Sequence, residues 1–161
     1  MKIGALLGVI VTGARMADLE SFHGYLIDTA SKIVAAGKEV ERPLIFVLTR
    51  DGRMAILPPP PSKDNLVQFQ KSIVREPVVR ACAVVFEAWT SSRVLDMRKT
   101  NPGFMPVDDP QRTEAIIVSI MTTGRQSMTV SPIERPANVV HKAPFQWLDE
   151  KADKFSGRFI R

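Results

Sequence analysis

The chain offers little for chemistry to be built on. Its 161 residues include one cysteine, Cys82, and two histidines, His23 and His141. A lone thiol forms no internal disulfide, which fits a reducing compartment. With two imidazoles and no cysteine pair there is no ligand set for zinc. Cys82 lies in an apolar run and reads as a small buried hydrophobe. Phosphate loops are absent: "TGAR" at 12–15 and "GRQS" at 124–127 match neither G-x-x-x-x-G-K-[ST] nor G-x-G-x-x-G. No serine occupies a G-x-S-x-G elbow, and Ser156-Gly157-Arg158 is a plain turn. Internal repeats are lacking, and the prolines Pro58 to Pro61 are the only biased stretch. The apolar run Ile3 to Val11 is too short to span a bilayer. The net charge is +5, yet no three basic residues adjoin. Nucleic-acid proteins concentrate such residues on one face or element, so charge alone gives a nucleic-acid partner little support.

What is present describes an ordinary globular chain, with 45% hydrophobic and 24% charged residues. The length suits a single domain, 1–161, burying roughly two-thirds of its unfolded surface. Residues 1–15, "MKIGALLGVIVTGAR", are expected to be an apolar N-terminal arm or strand that is retained rather than a cleaved leader.

From Asp18 the period becomes helical. Leu19, Phe22, Leu26, Ala30, Ile33 and Val34 form one apolar stripe, with Asp18 placed to cap it and Gly37 to end it. His23 lies beside that stripe as a structural histidine. Leu44 to Thr49 and Met54 to Leu57 read as a hairpin, with Asp51-Gly52 supplying a type I′ turn. The four prolines stop the second strand and make a stiff connector. Ser62 is positioned to cap a second helix carrying Leu66, Phe69, Ile73 and Val74, which Pro77 ends. Strands follow at about Val78 to Trp89, Ala115 to Met121 and, after a turn at Gly124, Ser127 to Ile133. Phe145, Leu148, Ala152 and Phe155 share a face and predict a last short helix, with 156–161 as a C-terminal tail.

The expected class is therefore α+β: an antiparallel sheet of about five strands with helices packed on one face in two layers, in the order α-β-β-α-β-β-β-α. That element order, over about residues 18–155, resembles the roadblock/longin and wider profilin-like domains, a likeness of fold that carries no function. Glu87, Ala88 and Trp89, followed by Asp109, Pro110, Arg112, Glu114 and Ala115, are similar to an E-A-W … D-P-x-R-x-E-A pattern of small uncharacterised bacterial and phage proteins. The resemblance implies an origin in a phage or mobile element and no chemistry.

The stretch 84–119 holds the candidate site. Glu87, Asp109 and Glu114, with Asp108 nearby, are the only candidates for an acid, a base or a Mg²⁺ ligand, and they need the flanking strands to pair before they meet. No histidine, lysine–serine or cysteine partner completes a nucleophile system, so no catalytic residue is assigned. The competing role for Glu87, Asp109, Arg112 and Glu114 is a structural brace in which arginines neutralise the acids, because an unpaired buried carboxylate costs several kcal/mol. The loop, 91–111, is long for a compact domain. Arg93, Arg98 and Lys99 beside Met97, Phe104 and Met105 suit a protein interface or a clamp on a nucleic-acid strand. Alternatively, Phe104 and Met105 fold back onto the sheet.

The sequence thus points to a non-enzymatic protein-interaction or scaffold domain with a protein partner, self-association or both, motivated by sheet edges that need covering. A phage-encoded accessory or structural protein of the host cytoplasm is the form this takes if the resemblance holds. A basic nucleic-acid-binding module is the alternative, and a metal-dependent hydrolase using the acids the second. No cofactor, metal or membrane span is implied.

Overall fold

The computed structural model of the chain describes residues 10–40, 42–58 and 63–148. Their elements run β1 (Ile10–Arg15), α1 (Leu19–Ala35), β2 (Leu44–Thr49), β3 (Arg53–Leu57), α2 (Leu66–Val74), β4 (Val79–Thr90), α3 (Val94–Met97), β5 (Thr113–Thr122), β6 (Arg125–Glu134) and β7 (Val139–Val140). The strands form one antiparallel sheet in the order β1-β3-β2-β4-β5-β6-β7. The α+β class with an antiparallel sheet holds. The expected five strands become six longer ones and a two-residue seventh. The N-terminal strand starts the series: β1 pairs with β3 through Ile10↔Ile56 and Val11↔Ala55. Residues 1–9 of the expected arm lie outside the described residues.

Local chemistry accounts for the ends of α1. Asp18 is extended (φ −147°, ψ 175°) and its Oδ1 accepts the Ser21 N–H at 2.7 Å, satisfying one of the free amides of the first turn. Gly37 closes the helix at φ +75°. Between β2 and β3 the reversal is not type I′, which needs two left-handed residues. Among the described residues, Gly52 alone is left-handed here (φ +84°), closing a three-residue loop Arg50–Gly52 in which the Thr49 hydroxyl accepts the Arg53 N–H at 3.0 Å.

The two-layer expectation is corrected. On one face, Phe22, Leu26, Ala30 and Val34 of α1 pack against Phe46, Leu48, Ala81, Ala83, Val85, Ile116, Val118 and Ile120. On the other, Leu66, Ile73 and Val74 of α2 pack against Ile45, Val47, Cys82, Val84, Phe86, Ala115 and Ile117. Helices therefore cover opposite faces of the sheet. β4 is paired on both sides as well, through Phe46↔Ala83 and Ala83↔Ile120. A strand enclosed in this way must be apolar at consecutive positions, which "ACAVVF" is. Each large side chain buried there contributes about 1.5–3 kcal/mol. One polar group enters this layer: Gln70 of α2 is fully buried, and its Nε2 donates to the carbonyls of Cys82 (3.0 Å) and Ser119 (3.2 Å).

The last predicted helix is absent over Phe145–Leu148, which are non-helical and lie along β6; residues 149–161, with the rest of that helix and the tail, fall outside the described residues. Trp147 bridges Ser127, and the Leu148 N–H donates to the Gln126 carbonyl at 2.9 Å. The Ser127 hydroxyl donates to the Gln146 carbonyl (2.6 Å), and the Ala143 N–H donates to the Ser131 hydroxyl (2.9 Å). The Phe145 ring lies 5.8 Å from buried His23, whose Nε2 shares a 2.7 Å hydrogen bond with the Thr129 hydroxyl. Lys142 reaches Asp28 of α1 at 2.7 Å, and the Arg125 guanidinium sits 4.0 Å over Trp147. A three-residue apolar spacing, Phe145 to Leu148, suits a helix turn locally, but pairing to a remote strand decides the conformation.

Candidate functional site: the 91–112 crossover

β4 and β5 are hydrogen-bonded from Cys82↔Met121 to Thr90↔Thr113, so the crossover between them leaves and returns at one end of the sheet. Its base is closed by Asp109, which is 1% exposed. The Arg93 guanidinium grips both oxygens of that carboxylate, Nε at 3.2 Å from Oδ2 and Nη2 on Oδ1. The Ser91 hydroxyl donates to Oδ2, and the Gln111 N–H donates to Oδ1 at 2.8 Å. The hydrogen bonds from Arg93, then those from Ser91 and Gln111, hold the Asp109 carboxyl well below the usual carboxylate range. A carboxylate held this way, with both oxygens engaged, is a poor proton acceptor.

Above this base the chain is tied to itself. α3 is a single turn. Arg98 extends back so that its Nε donates to the Phe104 carbonyl at 2.9 Å and its Nη2 lies 3.8 Å from the Met105 sulfur. The Asp108 carboxylate accepts the Met105 N–H at 2.8 Å, shaping a 3-10 turn at Pro106–Asp108. Phe104 is buried, which removes it as a stacking platform. Lys99 pairs with Asp96 at 3.3 Å in solvent. The large hydrophobic side chains left outside are Leu95, 80% exposed, and Val107, 45% exposed.

Arg98, Phe104 and Met105 are thus brought together, and Arg93 joins Asp109. The remaining acids stand elsewhere. Glu87 is buried on the α1 face of β4, and its Oε1 accepts the Val40 N–H at 3.0 Å; the partner found is a backbone amide rather than an arginine. Glu114 is held by Arg135, with Nε at 3.0 Å and Nη2 at 2.8 Å. Arg112 lies 4.6 Å over the Trp89 ring and donates from Nη1 to the Asp109 carbonyl at 3.4 Å. Among the described residues no three histidine, cysteine or acidic side chains stand together in a way that could hold a metal ion. The Cys82 thiol is fully buried, and burial pushes it up to about 12, so it supplies no nucleophile. Sequence reasoning missed Ser91, which seats Asp109, and Leu95 and Val107. The only signal for Ser91 was a hydroxyl two residues before Arg93 at a strand end.

No helix among the described residues is long and apolar enough to cross a membrane. No protein-family model, curated protein or solved structure matches the chain.

Proposed function

We propose that this chain is a non-enzymatic protein-interaction domain that presents the 91–112 crossover to a protein partner. The observation that carries this reading is Leu95, the most exposed large hydrophobic side chain among the described residues, held on a segment fixed by Arg93–Asp109 and Arg98–Phe104. A loop fixed before binding loses less conformational entropy when a partner covers it. A nucleic-acid clamp is less well supported, because Arg93 and Arg98 are engaged internally and Phe104 is inside. A hydrolase has less support still, because Glu87, Asp109 and Glu114 each have a separate partner. The E-A-W … D-P-x-R-x-E-A resemblance extends the proposal to an accessory or structural role for a phage or mobile element, in the host cytoplasm.

The test is Leu95→Asp in the full chain, with thermal midpoint and light scattering recorded beside partner capture. Loss of a Leu side chain from an interface removes about 2 kcal/mol, roughly thirtyfold in Kd. The expected result is a stoichiometric partner, or self-association, that is lost in the variant at unchanged midpoint. A partner retained equally by the variant, or salt-sensitive binding of nucleic acid in its place, would overturn the reading.

A further inference from the structure

The turn between β2 and β3 places a reactive peptide bond beside groups that restrain it. Its geometry calls for glycine at position 52: the backbone there has φ +84°, and a Cβ would stand 2.9 Å from the Met16 carbonyl oxygen. The residue before it is Asp51, so the fold keeps an Asp-Gly pair in an exposed loop. In such a pair the unhindered glycine nitrogen can close on the aspartate side chain. A bond forms between the Gly52 nitrogen and the Asp51 Cγ, and the amide proton leaves with the hydroxyl of the protonated carboxyl as water. Water then opens the five-membered ring. Opening at the Asp51 backbone carbonyl routes the chain through the side chain as isoaspartate, with no change of oxidation state. The product carries one extra methylene in the backbone of the three-residue loop Arg50–Gly52. That loop has no slack for it, since the Met16 N–H donates to the Gly52 carbonyl at 2.9 Å.

We propose that Asp51–Gly52 is a latent isoaspartate site and that Thr49 and Arg53 protect it, by keeping the carboxylate ionised and away from the glycine nitrogen. The Thr49 hydroxyl, on a buried residue, donates to Asp51 Oδ1, and the Arg53 Nε lies 3.2 Å from Oδ2. Each oxygen of the carboxylate therefore has its own partner. The nitrogen is engaged as well, because the Gly52 N–H donates to the Thr49 carbonyl at 3.0 Å. Closure needs a protonated carboxyl, so that its oxygen can leave, and a nitrogen turned toward Cγ. These contacts oppose both requirements. The hydrogen bond from Thr49, then that from the Arg53 amide and the charges of Arg53 and Arg15, hold the Asp51 carboxyl below its ordinary 3.8. Arg15 stands directly opposite Arg53 in the β1–β3 pairing, where two like charges repel and an ionised Asp51 relieves them. Thr49 pairs with Val79 at the start of β4, the end remote from the 91–112 crossover, so the inference stands independently of the function proposed for that loop.

The test ages the full chain at neutral pH, folded in buffer and unfolded in urea, and follows isoaspartate at position 51. Peptides cut at lysine and broken by electron transfer distinguish the two linkages, which have equal mass. The folded chain is expected to isomerise several-fold more slowly than the unfolded one; equal rates would overturn the inference, and this comparison requires no variant. Thr49→Val should raise the folded rate several-fold, whereas Thr49→Ser, which keeps the hydroxyl, should stay near the unaltered chain. A serine variant as fast as the valine variant would show that the hydroxyl is not what protects the site. Arg53→Met alters an exposed side chain and removes the second contact, so it decides the matter if Thr49→Val unfolds. It too should isomerise faster at an unchanged thermal midpoint, and a rate as slow as that of the unaltered chain would count against the proposal.

Discussion

Arg93 and Asp109, sixteen residues apart in sequence, meet in a two-pronged ion pair that closes the base of the crossover between β4 and β5. Asp109→Asn keeps the shape and removes the charge that Arg93, Ser91 and the Gln111 amide all address. Hydrogen exchange of residues 94–108 should quicken in this variant while the β4–β5 ladder keeps its protection. The same pair sets a pH dependence. The folded carboxyl is held below its ordinary value of 3.8, so its stabilisation is complete above that value and is lost as pH falls below it. Acid unfolding of Asp109→Asn should lack that contribution; curves of identical shape would mean the pair is inert.

His23 works in the opposite chemical sense to a salt bridge. Burial lowers its affinity for a proton from the ordinary 6.5, so the folded protein binds fewer protons than the unfolded chain. Stability is therefore full above about 6.5 and declines as pH drops through and below it. Chemical denaturation across that window should show the decline in the native protein and a flatter profile in His23→Gln. A native profile that is flat there would contradict the assignment.

Gly52→Ala should be among the most damaging surface substitutions. The backbone at φ +84° is strained for any L side chain, and an added Cβ would stand 2.9 Å from the Met16 carbonyl oxygen. That approach is part of a contact in which the Met16 N–H donates to the Gly52 carbonyl at 2.9 Å. A loss of ~1–3 kcal/mol is expected from the backbone alone, measurable by urea unfolding. Gly24→Ala, inside α1 with nothing within 4 Å of the new Cβ, is the control and should stabilise, by about 0.5–1 kcal/mol.

Cys82 should resist alkylation in the native protein and react only as fast as the sheet opens. Its thiol is enclosed on the α2 face and pushed up to about 12. Iodoacetamide labelling followed by mass spectrometry, with and without denaturant, checks this. Rapid native labelling would show that α2 lifts from the sheet far more readily than its packing implies.

Elements governed by local chemistry were legible in the sequence. Asp18 and Gly37 bound α1, and Gly124 turns β5 into β6. The opposed helices were not read, although the consecutive apolar residues Ala81 to Phe86 carried the signal, since a strand with one wet face would alternate. Phe145–Leu148 was misread because a short apolar spacing does not distinguish one helical turn from a segment laid along a distant strand. Within the site, the acids and arginines were identified as residues, but their partners depend on the β4–β5 register, which sets Trp89 opposite Glu114 and leaves Asp109 to Arg93. The aromatic character of Phe104 suggests a contact surface, but the fold buries that ring and leaves Leu95 outside.

The inward hydroxyls of β6 have one more consequence. Ser127, Thr129 and Ser131 alternate along the strand, all buried, and each is claimed by a different group: the Gln146 carbonyl, His23 and the Ala143 amide. Slipping β6 by one residue would replace them with Val130 and Pro132, which have no side-chain hydrogen-bonding group, and Met128, whose thioether is only a weak acceptor. A stripe of aliphatic residues would tolerate several alignments at similar energy. These three short side chains instead act as a ruler, marking where α1 and the final segment must lie and making every other alignment leave polar groups unanswered.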